Sequence, residues 1–63
     1  MKVLGLIDLI NNPREKVVIL DAVSRRECFC GLADDLADYS GAEYRRVVKI
    51  SVKDNTLIVE TKV

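Results

Sequence analysis

The chain has 63 residues, of which 49% are hydrophobic and 32% charged, and its ten basic residues balance ten acidic ones. This length predicts a single domain over residues 1–63, and the ordinary apolar content with only three glycines and one proline argues against disorder. A formal charge of zero provides no long-range attraction to nucleic acid or to an anionic membrane.

The first ten residues are predicted to form a short N-terminal helix. One helical face is marked by the i, i+3, i+4, i+7 spacing of Val3, Leu6, Ile7 and Ile10. Pro13 ends the pattern, and Gly5 weakens it, so a strand is the alternative here. No small-residue cleavage site follows, and no run approaches the roughly 20 apolar residues of a membrane span. We therefore expect a soluble protein of the cytoplasm.

Residues 17–23 are apolar on both faces and rich in β-branched side chains, which is typical of a central strand. Ser24-Arg25-Arg26 predicts a turn, after which residues 27–32 return as an antiparallel strand. The expected register places six side chains on one face by pairing Ala22 with Cys28, Leu20 with Cys30 and Val18 with Leu32.

A short helical turn is predicted between the second and third strands. The spacing of Leu32, Leu36 and Tyr39 fits one helical face, and Asp34 and Asp35 near its start favour the helix dipole. Ser40-Gly41 ends this segment.

The last segment predicts a β-hairpin, because Asp54-Asn55 separates two alternating runs and both residue types tolerate a positive φ. A two-residue turn pairs Val52 with Leu57, Ile50 with Val59 and Val48 with Thr61 on one face. The other face then has Lys49 across from Glu60 and Ser51 across from Ile58. We expect the final strand, residues 57–63, at the edge of the sheet.

Together these elements predict an α+β domain with a short N-terminal helix and a small, mostly antiparallel four-stranded sheet that ends in a β-hairpin. A small SH3-like barrel is the alternative. A domain of this size buries only about 60% of the surface of its unfolded chain, and such a core seldom yields more than about 3 to 5 kcal/mol without a disulfide, a metal or a partner subunit. We therefore expect a structural or protein-interaction module that forms a homodimer or binds another protein through its sheet edges.

No catalytic residue, metal site or cofactor is predicted, and the chain is not expected to be an enzyme. It has no histidine and only two cysteines, Cys28 and Cys30, so a zinc site within one subunit lacks ligands. Two thiols at i and i+2 of a strand lie at the limit of disulfide geometry, so we expect both in the core. Exposure of both thiols would instead suit a redox switch or a metal bridging two subunits. The carboxylates of Asp34, Asp35 and Asp38 are expected to be solvated.

Two arginine pairs support a second hypothesis, the binding of nucleic acid or another anion. Arg25-Arg26 lies in a predicted turn and Arg45-Arg46 precedes a predicted strand, with Tyr39 and Tyr44 nearby for base stacking. No RNP, helix-turn-helix or zinc-finger signature accompanies them, so this function ranks second.

Four stretches, VLGLIDLINN, EKVVILDA, GLADDL and VVKISVKDNTLIVE, carry a resemblance over most of the chain. Through them the chain resembles small proteins of Firmicutes bacteria and their phages that have no assigned activity. The resemblance implies a cytoplasmic accessory or mobile-element protein, and it brings no ligand or site residue.

Overall fold

The computed structural model describes all 63 residues as one helix, four strands and two 3₁₀ turns. Their bounds are α1 Val3–Ile7, β1 Lys16–Asp21, β2 Glu27–Leu32, a first 3₁₀ turn Ala33–Asp38, a second 3₁₀ turn Ser40–Glu43, β3 Arg46–Lys53 and β4 Thr56–Lys62. The strand order is β2-β1-β4-β3. Two antiparallel hairpins, β1-β2 and β3-β4, are joined by the parallel pair β1-β4. The α+β prediction is confirmed, and the barrel alternative is wrong because the sheet is open.

The C-terminal strand β4 is central, so the expectation that it forms an edge was wrong. It pairs with β1 on one side and with β3 on the other, and Val59 and Thr61 are fully buried. The consecutive apolar residues Leu57, Ile58 and Val59 give this strand two apolar faces, which is a property of central strands. The edges of the sheet are β2 and β3.

The helical elements cover one face of this sheet and leave the other open. Val17, Ile19 and Val59 point from the central strands into the covered face, where they meet α1 and the 3₁₀ turns. Only eight hydrophobic residues are buried, namely Val3, Leu6, Val17, Ile19, Ala33, Leu36, Ala42 and Val59. Because a fully buried aliphatic side chain contributes only about 1.5 to 3 kcal/mol, so small a core gives a thin margin over conformational entropy.

The N-terminal helix forms as predicted but ends at Ile7, with Val3 and Leu6 buried beneath it. The predicted helical turn after β2 is also present, as the first 3₁₀ turn with Leu36 buried. Its start is fixed to the segment before β1, because the Ala33 N–H donates to the Glu15 carbonyl at 2.8 Å.

The β3-β4 hairpin has the predicted two-residue turn, with φ of 52° at Asp54 and 60° at Asn55. The register is confirmed from Lys49 to Lys53, but Val48 is an extra residue in a β-bulge. Val47 therefore takes the place opposite Thr61 that we predicted for Val48.

The β1-β2 register differs from the prediction by two residues, since Val18 pairs with Cys30. The connecting loop has four residues, one more than expected, because the Asp21 N–H donates to the Arg26 carbonyl and closes the loop there.

The two cysteines of β2 have different environments. Cys28 is the extra residue of a bulge and packs against the core cluster, whereas Cys30 lies on the open face and is exposed. The predictions that both thiols share a face and lie in the core were wrong.

We predict opposite effects of alanine at two glycines. At Gly41 an added Cβ would collide with the ring of Tyr39, so Gly41→Ala should lower the free energy of unfolding by about 1 to 3 kcal/mol. Gly5 lies in a helix and its nearest neighbour would be Met1 Cγ at 3.6 Å, so Gly5→Ala should raise stability by up to about 1 kcal/mol. Urea denaturation of the two variants measures this, and equal effects would contradict the packing of Tyr39.

Candidate functional site

Arg45 is held inside the domain by a small polar network. Its Nε donates to Thr61 Oγ1 at 2.9 Å, and its Nη2 donates to Asp21 Oδ1 at 2.5 Å. The Thr61 hydroxyl donates in turn to the Leu20 carbonyl at 2.8 Å. Only 8% of Arg45 is exposed and Thr61 is fully buried. The network therefore joins the ends of β1 and β4 to the residue that precedes β3.

The carboxylate of Asp21 is held in its ionised form. The backbone N–H and then the hydroxyl of Ser24, followed by Arg45, lower the pKa of Asp21 and outweigh the opposing effect of burial. The Ser24 N–H donates to Asp21 Oδ2 at 2.7 Å, so the same carboxylate orders the β1-β2 loop. Sequence reasoning missed Asp21 and Thr61. The signal available was a threonine at a core-facing position of an otherwise apolar strand face.

The fold brings the two arginine pairs to one end of the sheet, because Arg46 pairs with Lys62 and the neighbouring Thr61 pairs with Asp21. Two of the four guanidinium groups are engaged internally. Arg45 is buried in the network with Asp21, and Arg25 Nη1 lies 2.5 Å from Glu60 Oε1. The side chains of Arg26 and Arg46 are exposed and form no ion pair.

The two tyrosines have different environments. Tyr39 is half-buried, with its ring centroid 5.4 Å from that of Phe29, and burial together with the neighbouring Cys28 raises the pKa of its hydroxyl. Tyr44 is 54% exposed at the end of the second 3₁₀ turn. Of this pair, only Tyr44 presents its ring for stacking.

The open face of the sheet carries an apolar strip across three strands. Register places the following side chains together on it: Cys30 and Leu32 of β2, Val18 and Leu20 of β1, and Ile58 of β4. Lys16, Lys49 and Lys53 flank this strip. None of the five is fully buried, and Leu32 is 38% exposed. The strip and its flanking lysines together make up the open face.

Two shallow cavities mark the surface. One of about 310 Å³ lies on the open face between β1 and β2, lined by Lys16, Val18, Cys30 and Leu32 among others. The second, of about 240 Å³, lies between Ile7 of α1 and Ala33 of the first 3₁₀ turn. No three metal-binding side chains come together, and Asp34, Asp35 and Asp38 are exposed.

Comparison with family models, with curated proteins and with solved structures gave no match. No helix of the fold has the length and apolar character to cross a membrane. The function is therefore inferred from the geometry of the surfaces themselves.

Replacing Thr61 with valine should expose the role of the network. Thr61→Val preserves shape but leaves the buried Arg45 Nε without its hydroxyl acceptor and removes the hydroxyl contact to the Leu20 carbonyl, which should lower the free energy of unfolding by about 1 to 3 kcal/mol. Thr56→Val on the same strand removes only a long contact of 3.4 Å, and should change stability by less than about 0.5 kcal/mol. Chemical denaturation of both variants checks this difference.

Acid should weaken the domain partly through Asp21. A carboxyl whose pKa is lower in the folded than in the unfolded chain stabilises the fold above its ordinary pKa of about 3.9, and this contribution disappears as the pH falls through the folded value. Asp21→Asn should melt at a lower temperature than wild type at pH 7 and lose less stability on acidification. Melting curves from pH 7 downwards test this, and parallel pH profiles would contradict it.

Proposed function

We propose that the chain is a protein-interaction module, and not an enzyme, that forms a homodimer through the open face of its sheet. The observation that carries this proposal is the apolar strip of Val18, Leu20, Cys30, Leu32 and Ile58, which no element of the same chain covers. Covering the strip removes apolar surface from water, which stabilises the folded chain by about 25 cal/mol per Å². A domain with only eight buried hydrophobic residues has little stability of its own, so this contribution matters.

The size of the face suits a second copy. A two-layer domain is thinnest across its layers, and the two longer dimensions of this chain are 28 and 24 Å. A rectangle of these two dimensions has an area of about 670 Å², somewhat less than the roughly 800 Å² per partner that a standard stable interface buries. Stacked sheets pack about 10 Å apart with interdigitating side chains. The apolar strip has side chains of different sizes, and these can interdigitate with those of a second copy.

The charges around the strip favour an arrangement with a polar rim. Lys16 and Lys53 lie at one end of the face, and Glu60, which contacts Arg25, lies at the other. Long lysine side chains keep their ammonium groups in water while their stems extend the apolar contact. The centre of the interface is then apolar and its periphery charged, as in known interfaces.

Binding of nucleic acid or another anion is the second candidate. The fold favours this candidate by bringing both arginine pairs to one end of the sheet. Because Arg25 and Arg45 form ion pairs within the chain, only Arg26 and Arg46 are free to bind phosphate. The two candidates differ in their salt response, because phosphate binding weakens steeply with salt and an apolar interface does not.

The context of the module rests on separate grounds. Two free thiols suit a reducing compartment, so we propose a cytoplasmic protein. A role as an accessory protein of bacteria or their phages rests on the sequence resemblance alone.

The dimer is tested by molar mass in solution, by light scattering after gel filtration at about 0.1 M and about 1 M salt. We expect twice the 7.1 kDa of the chain at both salts. Val18→Lys should weaken the dimer at least about tenfold, since burying an unpaired charge costs well over 1.4 kcal/mol. Val23→Lys is the matched control, because Val23 is 83% exposed in the β1-β2 loop.

A thiol reagent gives a second readout that does not depend on a substitution in the proposed interface. In a Cys28→Ser background, Cys30 is the remaining thiol and lies on the proposed interface. Its labelling should slow as protein concentration rises. A monomeric wild type at both salts, with labelling independent of concentration, would overturn the homodimer.

A further inference from the structure

The outer edge of β3 is covered along only part of its length. The Val47 N–H donates to the Met1 carbonyl at 2.7 Å, and Lys2 forms an isolated bridge with Arg46. The bulge at Val48 follows, and beyond it Lys49 to Lys53 have no strand on their outer side. Five residues, or about 17 Å of strand, therefore form an open edge.

The register indicates which backbone groups this edge presents. Lys53 and Thr56 close a two-residue turn, so they form a hydrogen-bonded pair. Bonded and non-bonded pairs alternate along an antiparallel ladder, so the N–H and C=O groups of Ile50 and Val52 point away from β4. A peptide in extended conformation can bind these four groups.

The side chains of the open edge differ between its two sides. Ile50 and Val52 point to the covered face but lie beyond the helical cover, and they are 44% and 68% exposed. Lys49 and Lys53 point to the open face. Neither lysine has an ion pair. The carboxylate across from Lys49, that of Glu60, contacts Arg25 instead.

A second copy of β3 is a poor partner for this edge. The antiparallel register with the greatest overlap would place each Lys49 across from the Lys53 of the other copy, and like charges directly opposite each other are destabilising. Edge lysines are a common means of preventing such self-pairing. The same two ammonium groups favour a strand with carboxylates at the opposite positions.

We propose that the open edge of β3 binds an extended acidic peptide in which carboxylate and apolar residues alternate. Its carboxylates face Lys49 and Lys53, its apolar side chains join Ile50 and Val52, and its backbone pairs with the outward groups of those two residues. Because side chains alternate with period two, one peptide face is acidic and the other apolar. This surface shares only the flanking Lys49 and Lys53 with the open face used in the homodimer.

The test uses the full chain with any affinity tag at the C-terminus, because residues placed before Met1 would lie along the same edge. The probe is a capped hexapeptide of alternating glutamate and valine. Its controls are the lysine-valine counterpart and a glutamate-valine peptide in which the same residues stand in two blocks. Isothermal titration should give binding of the alternating acidic peptide alone, weakened by salt.

Hydrogen exchange locates the site. At ten times the dissociation constant of the peptide, the amides of Ile50 and Val52 should exchange about tenfold more slowly, because bound chains protect them. The amides of β2, the other edge, should be unchanged. Slower exchange at β2, or equal binding of the block peptide, would overturn the proposal.

Charge reversal separates recognition from folding, because only a folded variant can gain binding of a new peptide. Lys49→Glu with Lys53→Glu should weaken the acidic peptide at least about tenfold and create binding of the lysine-valine peptide. Lys16→Glu with Lys62→Glu makes the same change in net charge outside the open edge of β3 and should leave the preference intact. Val52→Pro removes one outward N–H and should also weaken binding. Unchanged preference after charge reversal would overturn the proposal, whatever the molar mass of the chain.

Discussion

The parallel pairing of β1 with β4 is the interaction on which the rest of this small domain depends. Each hairpin alone is a two-stranded unit that has little stability in water. Joined through their first and last strands, they form a four-stranded sheet that presents one face to α1 and the 3₁₀ turns. The same pairing makes β2 and β3 the edges and brings the two arginine pairs to one end. The positions of the core, the edges and the charged end all depend on this one contact.

Polar side chains reinforce that pairing where the apolar core ends. Thr61 of β4 faces Asp21 of β1 across the parallel ladder, and Arg45 contacts both. A guanidinium group suits this position because its planar fork can bind a hydroxyl and a carboxylate simultaneously. An arginine that looks available for phosphate in the sequence thus serves the fold, and its neighbour Arg46 remains exposed. The two adjacent arginines have different environments because Arg45 follows the second 3₁₀ turn, whereas Arg46 is the first residue of β3, and successive side chains there point to opposite sides.

Two surfaces of the domain are left without partners, and they differ in chemistry. The open face offers apolar side chains, so it gains from non-directional burial. The edge of β3 offers unpaired backbone groups and two lysines, so it gains from directional bonds and opposite charge. A domain with so small a core benefits from occupation of either surface, since binding to the folded state alone raises its apparent stability. The proposed homodimer buries the apolar strip and the proposed peptide pairs with the outer backbone of β3, so the two contacts share only the flanking Lys49 and Lys53.

The sequence by itself determined the local elements: the helix at Val3, the turn at Asp54-Asn55 and most of the hairpin register. Those features depend on residues close in the chain, where periodicity and turn preference act directly. Tertiary structure alone decided that β4 is central, that Val48 and Cys28 are bulged, and that Cys30 faces the open side. It also decided that Arg45 is buried against Asp21 and Thr61. The central position of β4 depends on its pairing with β1, about 40 residues away, and the apolar patterns of these strands are compatible with other neighbours. The bulges and the contacts of Arg45 depend on packing that the pattern of a single strand does not encode.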